Sequence, residues 1–240
     1  MKLFLFLLLL FSFDCDIIEF VNITTAVYMG VCDMDIKKVI ENLEKNNMTA
    51  YCVKTKADVV PLIETLIRPS ETVALGGSMS LFECGVIDFL RNGKYNFIDR
   101  YKDGIDVRQV YLDSFGADTY FCSCNAVTED GLLYNVDGNS NRVAAICYGP
   151  KSVIMVVGIN KIVKDTNEAI LRVKNTAAPK NAQRLSCKTY CAEKGHCVSE
   201  ESSFGGCAGK DRICANYVIS GRQRVPGRIK IIFVEESVGY

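Results

Sequence analysis

The sequence predicts an α/β fold in which a mainly parallel sheet carries helices on both faces. Helical and strand-like patterns alternate along most of the chain, as they do when crossover helices join parallel strands. The clearest strands, Thr119 to Cys124 and Val153 to Val157, are nearly continuous apolar runs, which indicates burial on both faces. At 240 residues, the chain is long enough to bury a sizeable core.

The first half of the chain opens with an amphipathic helix over residues 35–46, whose acidic start suits the helix dipole. Lys56 to Ile67 forms a second helical pattern, and Pro61 should make its first turns irregular. Ser80 and Glu83 form a capping-box pattern, which predicts that a helix begins at Ser80. The remaining elements are strands at Thr49 to Val53, Glu71 to Leu75 and Asn96 to Ile98, and helices from Ser80 to Arg91 and Gly104 to Phe115.

The second half contains the two clearest strands, with a third strand candidate, Val143 to Tyr148, between them. Asp165 is the predicted N-cap of a helix that continues to Thr176 or beyond, with Glu168 as its third residue. Lys230 to Val234 is the final strand. A Cys-rich appendage, residues 186–220, interrupts the α/β pattern before that strand.

The charge composition argues against nucleic acid as a partner. The chain has 28 basic and 28 acidic residues, so its formal net charge is zero. A nucleic-acid surface would need clustered Lys and Arg residues, which the sequence lacks. It also has neither a Gly-x-Gly-x-x-Gly fingerprint nor a Walker loop, so no hydride-carrying cofactor site is predicted.

Residues 1–33 are interpreted as a leader outside the domain. Leu3 to Phe11 is apolar behind Lys2, as in a signal peptide, but it is too short to span a bilayer. No small-x-small cleavage site follows it. We therefore expect translation to start at Met34, giving a cytoplasmic domain of residues 34–240 without a membrane partner. An exported or membrane-anchored protein is the alternative.

The first candidate binding site is the turn Gly76-Gly77-Ser78, which follows a short apolar strand. Free backbone N–H groups at the start of the next helix can hold a phosphate or a carboxylate. A tight turn between strand and helix needs glycine whether or not anything binds. An anion site and a purely structural turn are therefore both open.

The second candidate site follows the strand Thr119 to Cys124. Asp130 and Asp137 could act as general acid or base if burial raised the pKa of either, although each precedes glycine and could simply stabilise a turn. Arg142 could bind a substrate carboxylate or form a structural salt bridge to Asp130 or Asp137. Lys161 could bind an anion, act as a nucleophile if desolvated, or remain an ordinary solvated lysine. Further ligand-binding candidates are Asn125, Thr128 and Asn141.

These motifs carry a family resemblance. The runs Asn125-Ala-x-Thr128-x-Asp130-Gly131, Asp137-Gly138-x-x-Asn141-Arg142 and Gly158-x-Asn160-Lys161 resemble the LUD domain, the lactate-utilisation family of bacteria. The resemblance extends over nearly everything from Met34 to Tyr240. It implies a fold like that of CoA transferases and sugar-phosphate isomerases, and a small anionic metabolite bound near Gly76, Gly77 and Ser78. It also implies a role in oxidising L-lactate to pyruvate with iron–sulfur partner proteins.

Two other functions stay open, and the sequence does not decide whether the protein is an enzyme. One is a stand-alone enzyme that acts on a phosphorylated or CoA-linked small molecule, with Asp130 or Asp137 as base. The other is a non-enzymatic subunit that holds a metal or serves in assembly.

The appendage contains five of the 12 cysteines, and it has too little hydrophobic period to form much core. Such a segment needs a crosslink or a metal, although its spacings differ from the common Cys-x2-Cys zinc patterns. Many LUD proteins have a similar segment, and the matching positions imply a thiolate set that binds zinc, ahead of iron or an iron–sulfur cluster. The predicted ligands are Cys191, Cys197, Cys207 and Cys214. Disulfides and unliganded thiols are the alternatives.

Overall fold

A six-stranded parallel sheet forms the centre of the protein in a computed structural model that describes residues 34–199 and 202–240. All its strand pairs are parallel, so the predicted α/β fold is confirmed. The predicted leader, residues 1–33, lies outside the described residues. Across the sheet the strands are β1 (Thr49–Val53), β10 (Ile229–Val234), β7 (Ser152–Gly158), β4 (Thr119–Cys122), β2 (Thr72–Leu75) and β3 (Asn96–Ile98).

Helices cover both faces of this sheet. They are α1 (Met34–Lys45), α2 (Val59–Leu66), α3 (Met79–Glu83), α4 (Val86–Leu90), α5 (Val107–Asp113), α6 (Asn141–Cys147), α7 (Thr166–Arg172), α8 (Ala178–Arg184) and α9 (Tyr190–Lys194). Short 3-10 turns lie at Lys56–Asp58, Ser114–Gly116 and Ile159–Lys161, and a π-helical turn, Val173–Ala177, joins α7 to α8. None of the helices in the described ranges combines the length and the apolar character needed to cross a bilayer.

The core around the large sheet is divided into two clusters because alternate strand residues point to opposite faces. Val153 and Met155 pack with α1 and α6 on one face. Ile154 and Val156 pack with α2, α3 and α4 on the other. The central strand β7 is therefore buried on both sides, which explains its continuous apolar run.

A second, four-stranded sheet was not predicted from the sequence. Its order is β8 (Ile162–Val163), β5 (Ala126–Thr128), β6 (Leu133–Asp137) and β9 (Asn216–Ser220). Strand β9 pairs antiparallel with β6, and this pairing attaches the Cys-rich appendage to the main fold. These strands are short and the β6–β9 pairing joins distant parts of the chain, so local sequence patterns do not reveal the sheet.

The sequence interpretation was wrong for two elements and incomplete for a third. Val143 to Tyr148, expected to be a strand, lies mostly in α6, where Val143, Ala145 and Ile146 are buried while Ala144 is only partly buried and Cys147 is exposed. That spacing suits one helix face, and alanine favours the helix. Ser80 is not an N-cap, because α3 begins at Met79 and Ser80 points into the interior.

The helix expected from Ser80 to Arg91 is also divided. Gly85 has a φ of +68° and separates α3 from α4. This left-handed conformation suits glycine and ends the first helical segment.

Candidate functional site

A pocket opens at the carboxyl ends of four contiguous strands of the large sheet, where α/β proteins commonly bind ligands. Ser78 follows β2, Ser123 follows β4, Lys161 follows β7 and Tyr240 lies beyond β10. We call this cavity of about 100 Å³ the strand-end pocket. Its lining consists of Gly77, Ser78, Met79, Ser123, Cys124, Asn125, Val136, Asp137, Arg142, Lys161, Ala177, Asn181, Arg184, Gly239 and Tyr240.

Lys161 is a buried amine in this pocket. Its residue is 3% exposed, and Nζ lies 2.8 Å from Ser80 Oγ and 3.0 Å from Ser123 Oγ. Burial, and then the positive charge of Arg172, lower the pKa of Lys161 to about 7. Lys161 is therefore not the solvated lysine of the alternative interpretation.

Ser80 and Ser123 complete a buried polar cluster around this amine. Ser80 Oγ donates to Val238 O at 3.2 Å and lies 3.4 Å from Ser123 Oγ. Ser80 is fully buried, whereas Ser123 lines the strand-end pocket. The three side chains come from separate elements and meet only because strands β7, β4 and β2 are adjacent in the sheet.

Arg142 is held by protein acceptors. Its Nε and Nη2 lie 3.0 Å and 2.8 Å from Asp137 Oδ1, and Nη2 also donates to Asn125 Oδ1 at 2.8 Å. Nη1 donates to Ser123 O at 2.9 Å and to Asn135 Oδ1. The guanidinium thus has the structural ion pair to Asp137 that the sequence left open, with no donor kept free for a carboxylate ligand.

Asp137 uses both carboxylate oxygens to build the site. Oδ1 pairs with Arg142, and Oδ2 accepts the backbone N–H of Val143 at 2.9 Å, in the first turn of α6. The carboxylate therefore fixes the start of α6 to the end of β6. Asn141, the first residue of α6, lines a neighbouring cleft.

The C-terminal tail closes one side of the pocket. Asn160 Oδ1 accepts from Val238 N at 3.2 Å, and Asn160 Nδ2 donates to Gly239 O at 3.2 Å. A Cβ at Gly158 would lie 2.6 Å from Val238 N, so the tail requires glycine there. The motif Gly158-x-Asn160-Lys161 therefore holds the tail and places the amine.

The turn at Gly76, Gly77 and Ser78 has a packing role and a free polar group. A Cβ at Gly76 would lie 2.8 Å from Tyr120 Oη and 3.2 Å from Arg142 Cδ, so glycine is needed there for space. Gly77 and Ser78 line the pocket. Within the described part of the chain, the buried Ser78 hydroxyl has no hydrogen-bond partner.

A wider cleft of about 600 Å³ adjoins the strand-end pocket and shares several of its residues, among them Gly77 and Arg184. Arg184 Nε donates to Tyr240 Oη at 2.7 Å, at the junction of the two cavities. Arg100, also in this cleft, donates to Tyr111 Oη at 2.8 Å. The Arg100 guanidinium is thus positioned by a phenol oxygen, and that of Arg184 by a phenol oxygen together with Asn181 Oδ1, which accepts from Nη2 at 2.8 Å.

Thr128 and Asp130 lie elsewhere. Thr128 Oγ1 donates to Asp130 Oδ1 and accepts from Leu132 N at 2.9 Å, so the two side chains stabilise the turn between β5 and β6. Neither residue is among those that line the pocket or the cleft. The structure thus separates Asp130 from Asp137, which the sequence grouped as candidate catalytic carboxylates.

Ser80, Ser123, Arg184 and Tyr240 were missed as site residues. Ser80 fits a capping pattern, and Arg184 lies in a helix well beyond the polar block. The sequence did contain a signal for Ser123 as a site residue, because it is a polar residue at the end of a buried strand. No sequence pattern indicated Tyr240, since its position depends on the path of the C-terminal tail.

The four predicted metal ligands, Cys191, Cys197, Cys207 and Cys214, line one small cavity of about 30 Å³, and none is paired in a disulfide. Buried Lys174 reaches the same place, with Nζ 3.8 Å from Cys197 Sγ and 3.0 Å from Gly205 O. Across residues 34–199 and 202–240, no three Cys, His, Asp or Glu side chains are close enough to hold a metal ion. Zinc binding there stays a prediction.

Comparison with known proteins gives a family match and a similar solved structure. A family model described as the LUD domain matches residues 36–234. A solved DUF162 family protein from Deinococcus radiodurans is similar over 83% of this chain and 95% of that chain, with 14% sequence identity and a TM-score of 0.47. No curated protein matches the chain.

Proposed function

This chain belongs to the LUD domain family, and on that premise we propose that it binds a small anionic metabolite in the strand-end pocket and serves in lactate utilisation. The observation that carries the proposal is the buried amine of Lys161, which lines the pocket. In the described residues, no carboxylate forms an ion pair with Lys161. A buried cation is costly unless an anion compensates it, and a bound carboxylate would do so.

The charges around the pocket favour an anion. Arg142 is neutralised by Asp137, but Arg100 and Arg184, like Lys161, form no ion pair within the described ranges. Low dielectric walls strengthen the attraction of these charges for a ligand of opposite sign.

The size and the free donor of the pocket favour a small ligand. Its volume is about 100 Å³, against about 600 Å³ for the neighbouring cleft. The buried hydroxyl of Ser78, which no group in the described ranges bonds, is available to bond a ligand oxygen. A small carboxylate such as L-lactate or pyruvate satisfies both conditions.

Calorimetric titration of the full chain tests the binding step. L-lactate, pyruvate and inorganic phosphate are the probes, and lactamide is the neutral analogue of lactate. We expect a carboxylate to bind at least ten times more tightly than lactamide, and Lys161→Met to abolish the difference. Lys230→Met is the matched control, because Lys230 is a partly buried lysine next to Ser152, at the opposite end of the sheet. Equal affinity for lactate and lactamide would contradict the proposal.

The role in L-lactate oxidation, the iron–sulfur partners and the cytoplasmic location are supported by the family resemblance alone. Affinity purification of the tagged chain from its native cells grown on L-lactate tests them together. We expect an iron-containing partner and lactate-dependent reduction of an artificial electron acceptor. Recovery of the chain alone, without that activity, would argue against this role.

The wide cleft favours a second candidate function, an enzyme acting on a phosphorylated or CoA-linked molecule. Arg100, Arg184 and Lys210 lie in this cleft, which is several times larger than the strand-end pocket. Guanidinium groups bind phosphate well. Thermal stabilisation by sugar phosphates or CoA, lost in Arg100→Gln, would support this candidate over lactate binding.

A further inference from the structure

We propose that Ser123 is a nucleophile that Lys161 activates, and that the strand-end pocket transfers or hydrolyses the acyl group of a small ester or thioester. This activity goes beyond metabolite binding and uses a different chemical property of the same lysine, its ability to accept a proton. Its test is independent of lactate and of any partner protein.

The hydrogen bonds distinguish the two serines. A neutral amine has two N–H donors and one lone pair, so Lys161 can donate to one hydroxyl while it accepts from another. Ser80 Oγ is 2.8 Å from Lys161 Nζ and gives its own proton to Val238 O at 3.2 Å. Ser80 is therefore the acceptor of the lysine N–H.

Ser123 is the second hydroxyl bonded to this amine, and the lone pair of a neutral Lys161 can accept its proton. Its Oγ lies 3.0 Å from Lys161 Nζ, within the range for proton transfer, and its other acceptor, Cys124 O, is farther away at 3.4 Å. Ser123 lines the pocket, whereas Ser80 does not. The nucleophile thus faces the substrate, and Ser80 is a positioning residue behind it.

The surroundings keep part of the lysine population neutral. Burial, Arg172 and Arg142 lower the pKa of Lys161, while Cys124 and Glu83 oppose that effect. The pKa of about 7 places the base near neutral pH, where general-base catalysis is most effective. In Ser-Lys enzymes, a lysine activates the nucleophilic serine in the same way.

The reaction balances without a further cofactor. Ser123 Oγ bonds to the acyl carbon, the bond from that carbon to the leaving oxygen or sulfur breaks, and Lys161 passes the serine proton to the leaving group. Water then attacks the acyl carbon, Lys161 takes a proton from it, and that proton returns to Ser123 Oγ. The carboxylic acid leaves, and Arg184 at the junction with the cleft can pair with an anionic group of the substrate.

A fluorophosphonate probe, which reacts with activated serines, tests the proposal on the full chain. We expect peptide mapping to find the adduct on Ser123, Ser123→Ala to remove it, and Lys161→Met to slow labelling by about 100-fold. In the wild type, the labelling rate should rise as pH increases through 7, because the neutral lysine is the base. This pH dependence should disappear in Lys161→Met.

The pair Ser152 and Lys230 provides a matched control. Lys230 Nζ donates to Ser152 Oγ at 2.9 Å, but Ser152 lies at the start of β7, at the opposite edge from the pocket. Ser152 should not be labelled, and Ser152→Ala should leave labelling of Ser123 unchanged. An unlabelled Ser123 in folded wild-type protein would overturn the proposal, even where calorimetry shows that the pocket binds a carboxylate.

Discussion

Arg142 and Asp137 form an ion pair that joins the two sheets, with Nε and Nη2 both within 3.0 Å of one carboxylate oxygen. Both side chains are nearly buried, at 10% and 12% exposure. Arg142 also reaches the carbonyl of Ser123, which follows β4 of the large sheet, while Asp137 ends β6 of the small one. The pair therefore forms part of the wall of the strand-end pocket and holds the two sheets together there.

Asp137→Asn should destabilise the protein strongly, because it leaves a buried guanidinium without its counter-charge. Loss of one partner of a buried pair typically costs about 3–5 kcal/mol in the free energy of unfolding. Urea denaturation measures this loss in the free energy of unfolding. Asp130→Asn, in an exposed turn, is the control and should change stability by less than about 1 kcal/mol. Similar urea midpoints for Asp137→Asn and Asp130→Asn would refute the structural role of the ion pair.

Gly76→Ala and Gly77→Ala form a matched pair at the turn after β2. At Gly76 the added methyl would lie 2.8 Å from the hydroxyl of buried Tyr120, whereas at Gly77 the nearest atom is Arg100 Nη1 at 3.5 Å. We expect a loss of about 1–3 kcal/mol for Gly76→Ala only. Thermal unfolding would contradict this if Gly77→Ala were the more damaging change.

The pKa of Lys161 makes stability depend on pH. Between the folded pKa of about 7 and the ordinary value of 10.5, the unfolded chain binds more protons than the folded chain, so stability rises with pH in that window. The wild type should therefore gain up to about 1.4 kcal/mol per pH unit relative to Lys161→Met. Urea unfolding at pH 7 and pH 9 checks this. Parallel pH profiles for the two proteins would show that Lys161 keeps its ordinary pKa.

Asn160→Ala should release the C-terminal tail from the pocket. The substitution removes one acceptor and one donor, which hold Val238 N and Gly239 O. Hydrogen exchange should become faster at Val238 and should remain unchanged in the central strand β7. Asn96→Ala, which removes a bond to Ser70 O at an exposed position, is the control. Unaltered protection at Val238 would mean that other contacts hold the tail.

Metal analysis of the full chain, purified without oxygen, tests the predicted zinc site. We expect about one zinc per chain, lost in Cys191→Ser and Cys214→Ser but retained in Cys147→Ser, since Cys147 is an exposed residue of α6. The ammonium of Lys174 beside Cys197 would offset part of the negative charge of four thiolates. A metal-free protein with titratable thiols would rule out zinc.

The strands of the large sheet were predictable to within a few residues, because continuous apolar runs are local signals. The start of the helix after Asp165 was equally predictable from the sequence. The Asp165 side chain is the N-cap and accepts hydrogen bonds from Asn167 N and Glu168 N, as its sequence pattern indicates. Ser80 shows the limit of such patterns. Its capping signature was present, but a buried partner 81 positions away determines what its hydroxyl does.

The sequence by itself determined the alternation of buried strands and amphipathic helices, the family, and the turn and lysine that line the pocket. These properties depend on neighbouring residues, whose burial and periodicity follow from the order of the chain. Only the tertiary structure decided that Lys161 meets Ser80 and Ser123, and that Arg142 is satisfied by Asp137. Strand order decides which loops share one edge of a sheet, and burial then decides which charges have partners; neither is encoded in any local stretch of sequence.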